Sequence, residues 1–295
     1  MERYADYCRS NRRCEGRRRH DPGEKRTKRR FAMDIGFIGT GNMGGAIIRS
    51  LSDVDGLTMY GVNHTPAKLE ALAEETGLIP CDTIQELTEK SDFIVLAVKP
   101  QQAPEIWPEM VPVLTRKKCL VSIAAGLTLN SLRQSIDNVC PVIRVMPNTP
   151  VLIKEGVTAI CLDDEMLSHQ QKTFIQELFE NSGDVHVVSE NQFDVFTAVI
   201  GSGPAFIFYL IETMIESGVE LGLHRDVSSR MVKKLFSGAS LMAERSAEHV
   251  SMLKEMSIAP AGTTIAALAH FDRTAVRGNI MDAIRMAYVR SIELG

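Results

Sequence analysis

The sequence has no apolar run near the ~18 residues that cross a bilayer. The longest candidate, Ala205 to Ile215, is interrupted by Glu212 and reads as a buried helix, so no membrane partner is expected. The six cysteines (Cys8, Cys14, Cys81, Cys119, Cys140 and Cys161) form no C-x-x-C pair and have no histidine at ligand spacing. That excludes the common zinc patterns and favours free thiols in a reducing, cytoplasmic compartment; no metal is expected. Nor do the seven scattered histidines form a Ser-His-Asp or Cys-His arrangement.

What is present is a 295-residue chain, 24% charged and 44% hydrophobic, long enough for about two domains. Its net charge of −4 hides an asymmetry. Residues 1–32 hold twelve Lys/Arg against five Asp/Glu, whereas the remainder holds 21 against 32. Met1 to Arg30 has no apolar periodicity and cannot bury enough surface to offset the entropy of ordering it. Residues 1–32 are expected to be a disordered basic extension, either a dispensable tail or a start-site artefact, since Met33 stands just before the first strand. A basic tail can bind nucleic acid, but only charge supports this here, and no nucleic-acid partner is expected.

From Met33 onward, short apolar segments alternate with helical ones. Asp34–Ile38, Thr58–Val62, Phe93–Val98, Cys119–Ile123 and Val142–Val145 read as buried strands, with Val157–Cys161 and Val185–Val188 as further ones. Continuously apolar strands separated by helices indicate a parallel sheet covered on both faces. A helix is expected from about Asp164 to Asn181. After Ser189 strand signals vanish, and Pro204–Glu220, Val227–Arg245, Thr263–His270 and Arg273–Glu293 read as helices. The expected division is an α/β domain over 33–190 and an all-helical domain over 191–295.

Gly39-Thr40-Gly41-Asn42-Met43-Gly44 fits G-x-G-x-x-G after a strand and at the start of a helix, the context that makes this pattern specific. Gly39 permits the tight turn, Gly41 clears space for pyrophosphate, and Gly44 lets helix and strand approach. Free N–H groups at the helix start then meet the phosphate charge. The fold class is therefore α/β, a Rossmann-type dinucleotide-binding domain followed by helices. An NAD site would place an acid after the second strand. Val62-Asn63-His64-Thr65-Pro66-Ala67-Lys68 has none. Asn63 and Thr65 offer hydrogen bonds and Lys68 a charge, which suits a 2′-phosphate. NADPH is expected, with NADH the lesser alternative.

Six segments together resemble the pyrroline-5-carboxylate reductase family: Gly36 to Gly44, Val98-Lys99-Pro100, Ser122 to Gly126, Arg144 to Pro150, Gly201 to Ala205 and Pro260 to Thr264. The resemblance runs from Met33 to the C-terminus. It implies NADPH-dependent hydride transfer to the C=N carbon of 1-pyrroline-5-carboxylate, giving L-proline. It also implies a homodimer or higher homo-oligomer built through the helical domain. By resemblance, Val98, Lys99 and Pro100 line the ribose side of the cofactor, and Pro147 and Asn148 the nicotinamide side. Gly262, Thr263 and Thr264 would hold the substrate carboxylate at a helix start. No side-chain acid is obligatory, because an iminium can be protonated before hydride arrives. Glu190 aligns with an acidic position of the family and would steady the cationic nitrogen, or else is a solvated acid.

The chain departs from the family's pattern at Ile200, Met256, Ala259 and Ala261, each of which removes a polar group or adds bulk near the expected substrate pocket. Losing one hydrogen bond to a charged ligand costs roughly 1.5–3 kcal/mol. Two alternatives follow. One is a related hydroxyacid dehydrogenase or imine reductase; the former needs a lysine in the first interdomain helix, and none occurs between Pro204 and Lys233. The other is an NADP(H)-binding regulatory paralogue that has lost turnover.

Overall fold

The computed structural model describes residues 33–294. The basic extension expected over 1–32 lies outside the described residues. Eight strands form one sheet: β1 (Met33–Ile38), β2 (Leu57–Val62), β3 (Ile79–Pro80), β4 (Phe93–Leu96), β5 (Cys119–Ser122), β6 (Val142–Met146), β7 (Gly156–Cys161) and β8 (Gly183–Val187). Their order is β3-β2-β1-β4-β5-β6-β7-β8. All neighbours run parallel except β6 and β7, which pair antiparallel with Arg144 opposite Cys161. The expected sheet is there, but it is mixed: only the 3₁₀ turn Thr149–Ile153 separates β6 from β7, too little chain for a parallel crossover.

Alternation along the strands builds two cores. Ile35, Phe37, Phe93 and Val95 face one side, where α1 (Asn42–Leu51), α2 (Pro66–Thr76) and α5 (His169–Phe179) bring Ile47, Leu72 and Phe174. Ile94, Leu96 and Val142 face the other, under α3 (Ile84–Lys90) and α4 (Leu129–Ser135) with Leu87 and Leu132. Each such fully buried side chain contributes about 1.5–3 kcal/mol. The helix expected from Asp164 starts only at His169, after Asp164 has turned inward as a buried anchor for Arg133.

Five longer or isolated helices complete the chain: α6 (Gly203–Glu220), α7 (Arg225–Arg245), α8 (Val250–Met256), α9 (Thr263–Arg273) and α10 (Val276–Leu294). A π-helical turn over Thr197–Gly201 precedes them. By contacts the described residues divide into a unit of 33–206 with 281–294 and a unit of 207–280. The division falls inside α6 and α10.

In the sheet unit, Ser291 Oγ donates to Asp194 Oδ1 at 2.7 Å. Gly126, at φ +83°, accommodates the Leu294 carbonyl where a Cβ would sit only 2.6 Å from it. In the helical unit, α6 and α7 meet at Gly218 and Ser228, where the serine hydroxyl donates to the Ile215 carbonyl at 2.8 Å. Apart from that seam the unit is open. Phe208 and Tyr209 are 63% and 70% exposed, so the burial expected for Ala205 to Ile215 is not achieved within one chain. The helical stretch Glu190–Glu220 is long and apolar enough to cross a membrane by length and composition.

Candidate functional site

Parallel strands carry their following loops to one edge of the sheet, which is where ligands bind in such folds. Gly39 follows β1 with φ +94°, a left-handed value, and a Cβ there would lie 2.7 Å from the Ala97 carbonyl oxygen. At Gly44 a Cβ would overlap the carbonyl oxygen of Gly39, so this residue fixes how closely α1 approaches the strand. Gly41 differs from both. Nothing lies within 4 Å of its Cβ position, so the glycine leaves open space rather than relieving a clash. A pyrophosphate fits that cradle: the space over Gly41 is clear, and Gly39 and Gly44 on either side leave no room for a Cβ.

The helix starts carry a second signal. Thr83, Thr128 and Ser168 cap α3, α4 and α5 by accepting from the backbone N–H groups of Glu86, Ser131 and Gln171. By contrast, Gly41, Thr65 and Gly262 give α1, α2 and α9 no side-chain cap, and none of these helices has an acid in its first turn. An uncapped helix start without a local carboxylate leaves N–H groups and a positive dipole end for an external anion. All three are starts the sequence assigns to ligands.

Asn63 Nδ2 donates to Thr40 Oγ1 at 2.8 Å, tying the end of β2 to the glycine turn. One of its two amide hydrogens is thus spent on the protein. Asn63, His64, Gly39 and Val98 line a cleft of about 440 Å³ that also receives Asp82, Gln102, Glu105 and Glu109. The cleft joins the loops after β1, β2 and β4. Lys99 is exposed beside it, and Pro100 opens a 3₁₀ turn over Pro100–Glu105. Sequence reading passes over His64, Asp82, Glu105 and Glu109, since no periodicity or motif distinguishes them from solvated loop residues.

Pro147 and Asn148 follow β6 and are buried. The Asn148 side chain is committed to the protein: Oδ1 accepts from Val157 N–H at 2.9 Å, and Nδ2 donates to the Ile200 carbonyl at 3.3 Å. It holds the start of β7 and the π-helical turn against the end of β6, so its role at a nicotinamide would fall to its backbone. Ile200, the first departure from the family's pattern, sits at this joint.

Glu190 is engaged within the protein. Its Oε1 accepts from Arg144 Nη1 at 2.6 Å and from Leu129 N–H at 3.2 Å, and Cys161 Sγ lies 3.9 Å from its Oε2. Arg144, its side chain 5% exposed, also stacks on the Phe193 ring at 4.6 Å. A carboxylate so engaged neutralises an internal arginine. The signal available in the sequence was Arg144 itself, a charge in the middle of an apolar strand.

Burial disfavours the thiolate at the cysteines in and beside the sheet. Burial pushes Cys140 up to about 11 and Cys161 up to about 12, far from the thiolate range.

A glycine cradle at the carboxyl edge of a doubly covered sheet, with helices following, defines a nicotinamide-dinucleotide oxidoreductase of the sheet-plus-helices type. The family description "Pyrroline-5-carboxylate reductase dimerisation" matches residues 190–294, and "NADP oxidoreductase coenzyme F420-dependent" matches residues 34–126. A pyrroline-5-carboxylate reductase of Pisum sativum is 32% identical over 262 residues, 88% of this chain and 95% of the relative. That of Escherichia coli (strain K12) is 31% identical over 264 residues, 88% of this chain and 97% of the relative. The crystal structure of the Plasmodium falciparum enzyme with NADP bound superposes with a TM-score of 0.81 at 28% identity, covering 90% of this chain and all of that one. The chain belongs to the pyrroline-5-carboxylate reductase family. Its match to the dimerisation domain supports a homo-oligomer, and the open apolar surface of α6 is the kind of face such assembly covers.

Proposed function

We propose that this protein reduces 1-pyrroline-5-carboxylate to L-proline with NADPH, as the last step of proline biosynthesis in the cytoplasm. The observation that carries this reading is the cradle at Gly39, Gly41 and Gly44 followed by an acid-free end of β2, in a chain of this family. NADPH, when bound, supplies the hydride. The protein's residues position it: the open space at Gly41 and the N–H groups of α1 take the pyrophosphate, and Asn63 and Thr65 face the adenosine ribose. Val98, Lys99 and Pro100 border the ribose, and the backbone at Pro147 and Asn148 borders the nicotinamide.

The substrate carboxylate is assigned to the start of α9. Gly262 has no side chain to cap that helix, so the first-turn N–H groups and the hydroxyls of Thr263 and Thr264 are left to bind an anion. A protonated cyclic imine accepts hydride at carbon, and the bond's electron pair passes to nitrogen. No side-chain acid is needed at that step. The assembly is a homodimer or higher oligomer through the helical unit.

A second reading, an NADP(H)-binding paralogue without turnover, draws on Ala261, whose φ of +57° strains the loop that leads into Thr263. NADPH oxidation by the chain beginning at Met33, with pyrroline-5-carboxylate and with other cyclic imines, tests both. Thr263→Val with Thr264→Val is expected to raise KM for pyrroline-5-carboxylate by roughly tenfold or more, with the NADPH dissociation constant unchanged. Tight NADPH binding with no oxidation would favour the second reading.

A further inference from the structure

Pro204, in the first turn of α6, denies a helical partner to the Ile200 carbonyl, and a side chain from another part of the fold supplies one. The turn over Thr197–Gly201 closes with Ser202 N–H donating to the Thr197 carbonyl at 2.9 Å, the wide bond of a π turn. The α-helical donor for the Ile200 carbonyl would be the N–H four residues on. That residue is Pro204, which has none. Ala205 N–H is turned to the Ser202 carbonyl at 3.1 Å. The Ile200 carbonyl accepts from Asn148 Nδ2 at 3.3 Å.

The donor belongs to the loop after β6. Asn148 is 6% exposed, and each end of its amide has a partner: Oδ1 accepts from Val157 N–H at 2.9 Å, at the start of β7. A backbone N–H only donates and a carbonyl only accepts, so these two partners fix which way the amide faces. The Asn148 carbonyl accepts from Val151 N–H at 3.2 Å, which opens the Thr149–Ile153 turn. Met146, at the end of β6, lies against the same π turn, since a Cβ on Gly201 would stand 3.0 Å from Met146 Cε. The bond to Ile200 therefore fastens the loop across to the chain that follows β8. An unwound helical turn frees backbone groups, which is why such turns collect at functional sites. Here the freed group holds a loop.

We infer that Asn148 is a positioning residue for hydride transfer: its side chain pins the loop that borders the nicotinamide to the π turn, through the carbonyl that Pro204 leaves free. The inference rests on the function proposed above. It makes one device of two separate segments, Arg144 to Pro150 and Gly201 to Ala205. Loosening the pin lets the nicotinamide move relative to the substrate. The pyrophosphate is held on a different loop, at Gly41, so cofactor affinity is retained while the reacting geometry is lost. A misplacement of about 1 Å costs on the order of a hundredfold in rate.

Asn148→Asp tests this in the full chain, because it removes the donor to Ile200 and keeps the acceptor for Val157. Its kcat with pyrroline-5-carboxylate is expected to fall by roughly tenfold to a hundredfold, while the NADPH dissociation constant, from nicotinamide fluorescence, changes by less than about threefold. The isotope effect on kcat, with deuterium at the transferred position of NADPH, should rise as hydride transfer becomes the slow step. Asn148→Ala, which buries no charge, should behave in the same way. Pro204→Ala restores an N–H to the helix. Combined with Asn148→Ala, it should recover the urea midpoint and leave kcat low, because the turn is satisfied and the loop is still unpinned. A kcat within about twofold of the unaltered protein in both Asn148 variants overturns the inference and leaves the proposed reaction standing. So does a kcat that returns together with the midpoint in the double variant, as a merely structural role requires, or an NADPH dissociation constant that rises as far as kcat falls. No NADPH oxidation by the unaltered protein overturns the reaction and the inference together.

Discussion

Arg144, in the middle of β6, is bound by Glu190, three residues beyond the end of β8, through a 2.6 Å contact with only 5% of the arginine side chain exposed. Removing the carboxylate leaves a buried guanidinium with the Phe193 ring as its remaining counterweight. Breaking a buried pair costs about 3–5 kcal/mol; Glu190 is 31% exposed, and water returning to it reduces this to about 2 kcal/mol. Glu190→Ala should lower the urea midpoint accordingly, and Arg144→Met combined with Glu190→Gln should recover most of the loss. A Glu190→Gln protein with an unchanged midpoint but a collapsed kcat would instead return Glu190 to the reacting nitrogen.

That pair shows where the sequence is legible and where it stops. Phe93–Leu96 is apolar at every position and Cys119–Ser122 at all but Ser122, because both faces are covered, so the strands and their helices can be read directly. The glycine turn is readable for the same local reason: one residue needs positive φ and another close approach. Arg144 announces that a partner must exist, but 46 residues separate it from Glu190, and no local rule selects one acid among many. The antiparallel β7 was hidden because its residues are as apolar as those of a parallel strand. The apolar helix at Ala205 to Ile215 looked buried because composition reports the assembled protein, whereas one chain leaves that face open.

Gly41 and Gly44 should fail in different ways. Gly44→Ala forces a Cβ into the Gly39 carbonyl, so the helix must shift from the strand; a loss of about 1–3 kcal/mol in stability is expected along with cofactor binding. Gly41→Ala meets nothing within 4 Å, so the fold should keep its urea midpoint. Its cost appears only when pyrophosphate enters, as at least a tenfold weaker NADPH dissociation constant. Thermal unfolding and nucleotide titration of the two variants side by side separate these outcomes.

Asp164 predicts a limb of the acid-unfolding curve. It accepts from Arg133 Nε and Nη2, each at 2.9 Å, and from the N–H groups of Val142 and Met166 at 2.9 and 2.8 Å. Burial alone would raise its pKa, but Arg133 and the two N–H groups outweigh it and hold the carboxyl below 3.8. A folded pKa below the unfolded one means that the stabilisation is complete above about pH 4 and is lost as pH falls through the folded value. Asp164→Asn should therefore cost about 2–3 kcal/mol at neutral pH and progressively less below about pH 4. Urea midpoints at the two ends of that range check the sign; an equal loss at both would show that the charge is not what matters.

The turn before α9 carries strain that a single substitution should remove. Gly262 N–H donates to the Ala259 carbonyl at 3.0 Å, which makes Ala259–Gly262 a β-turn with Pro260 in its second position and Ala261, at φ +57°, in its third. Proline followed by a positive φ is the type II pattern, whose third position favours glycine. An alanine held there costs about 1–2 kcal/mol, against about 0.5–1 kcal/mol of extra chain entropy for a glycine. Ala261→Gly should therefore stabilise the protein by up to about 1 kcal/mol, or roughly 2–4 °C in thermal midpoint. If the strain also distorts the anion site, KM for pyrroline-5-carboxylate should fall in the same variant while the NADPH dissociation constant holds. A lower thermal midpoint would mean that the alanine methyl makes contacts worth more than the strain it imposes.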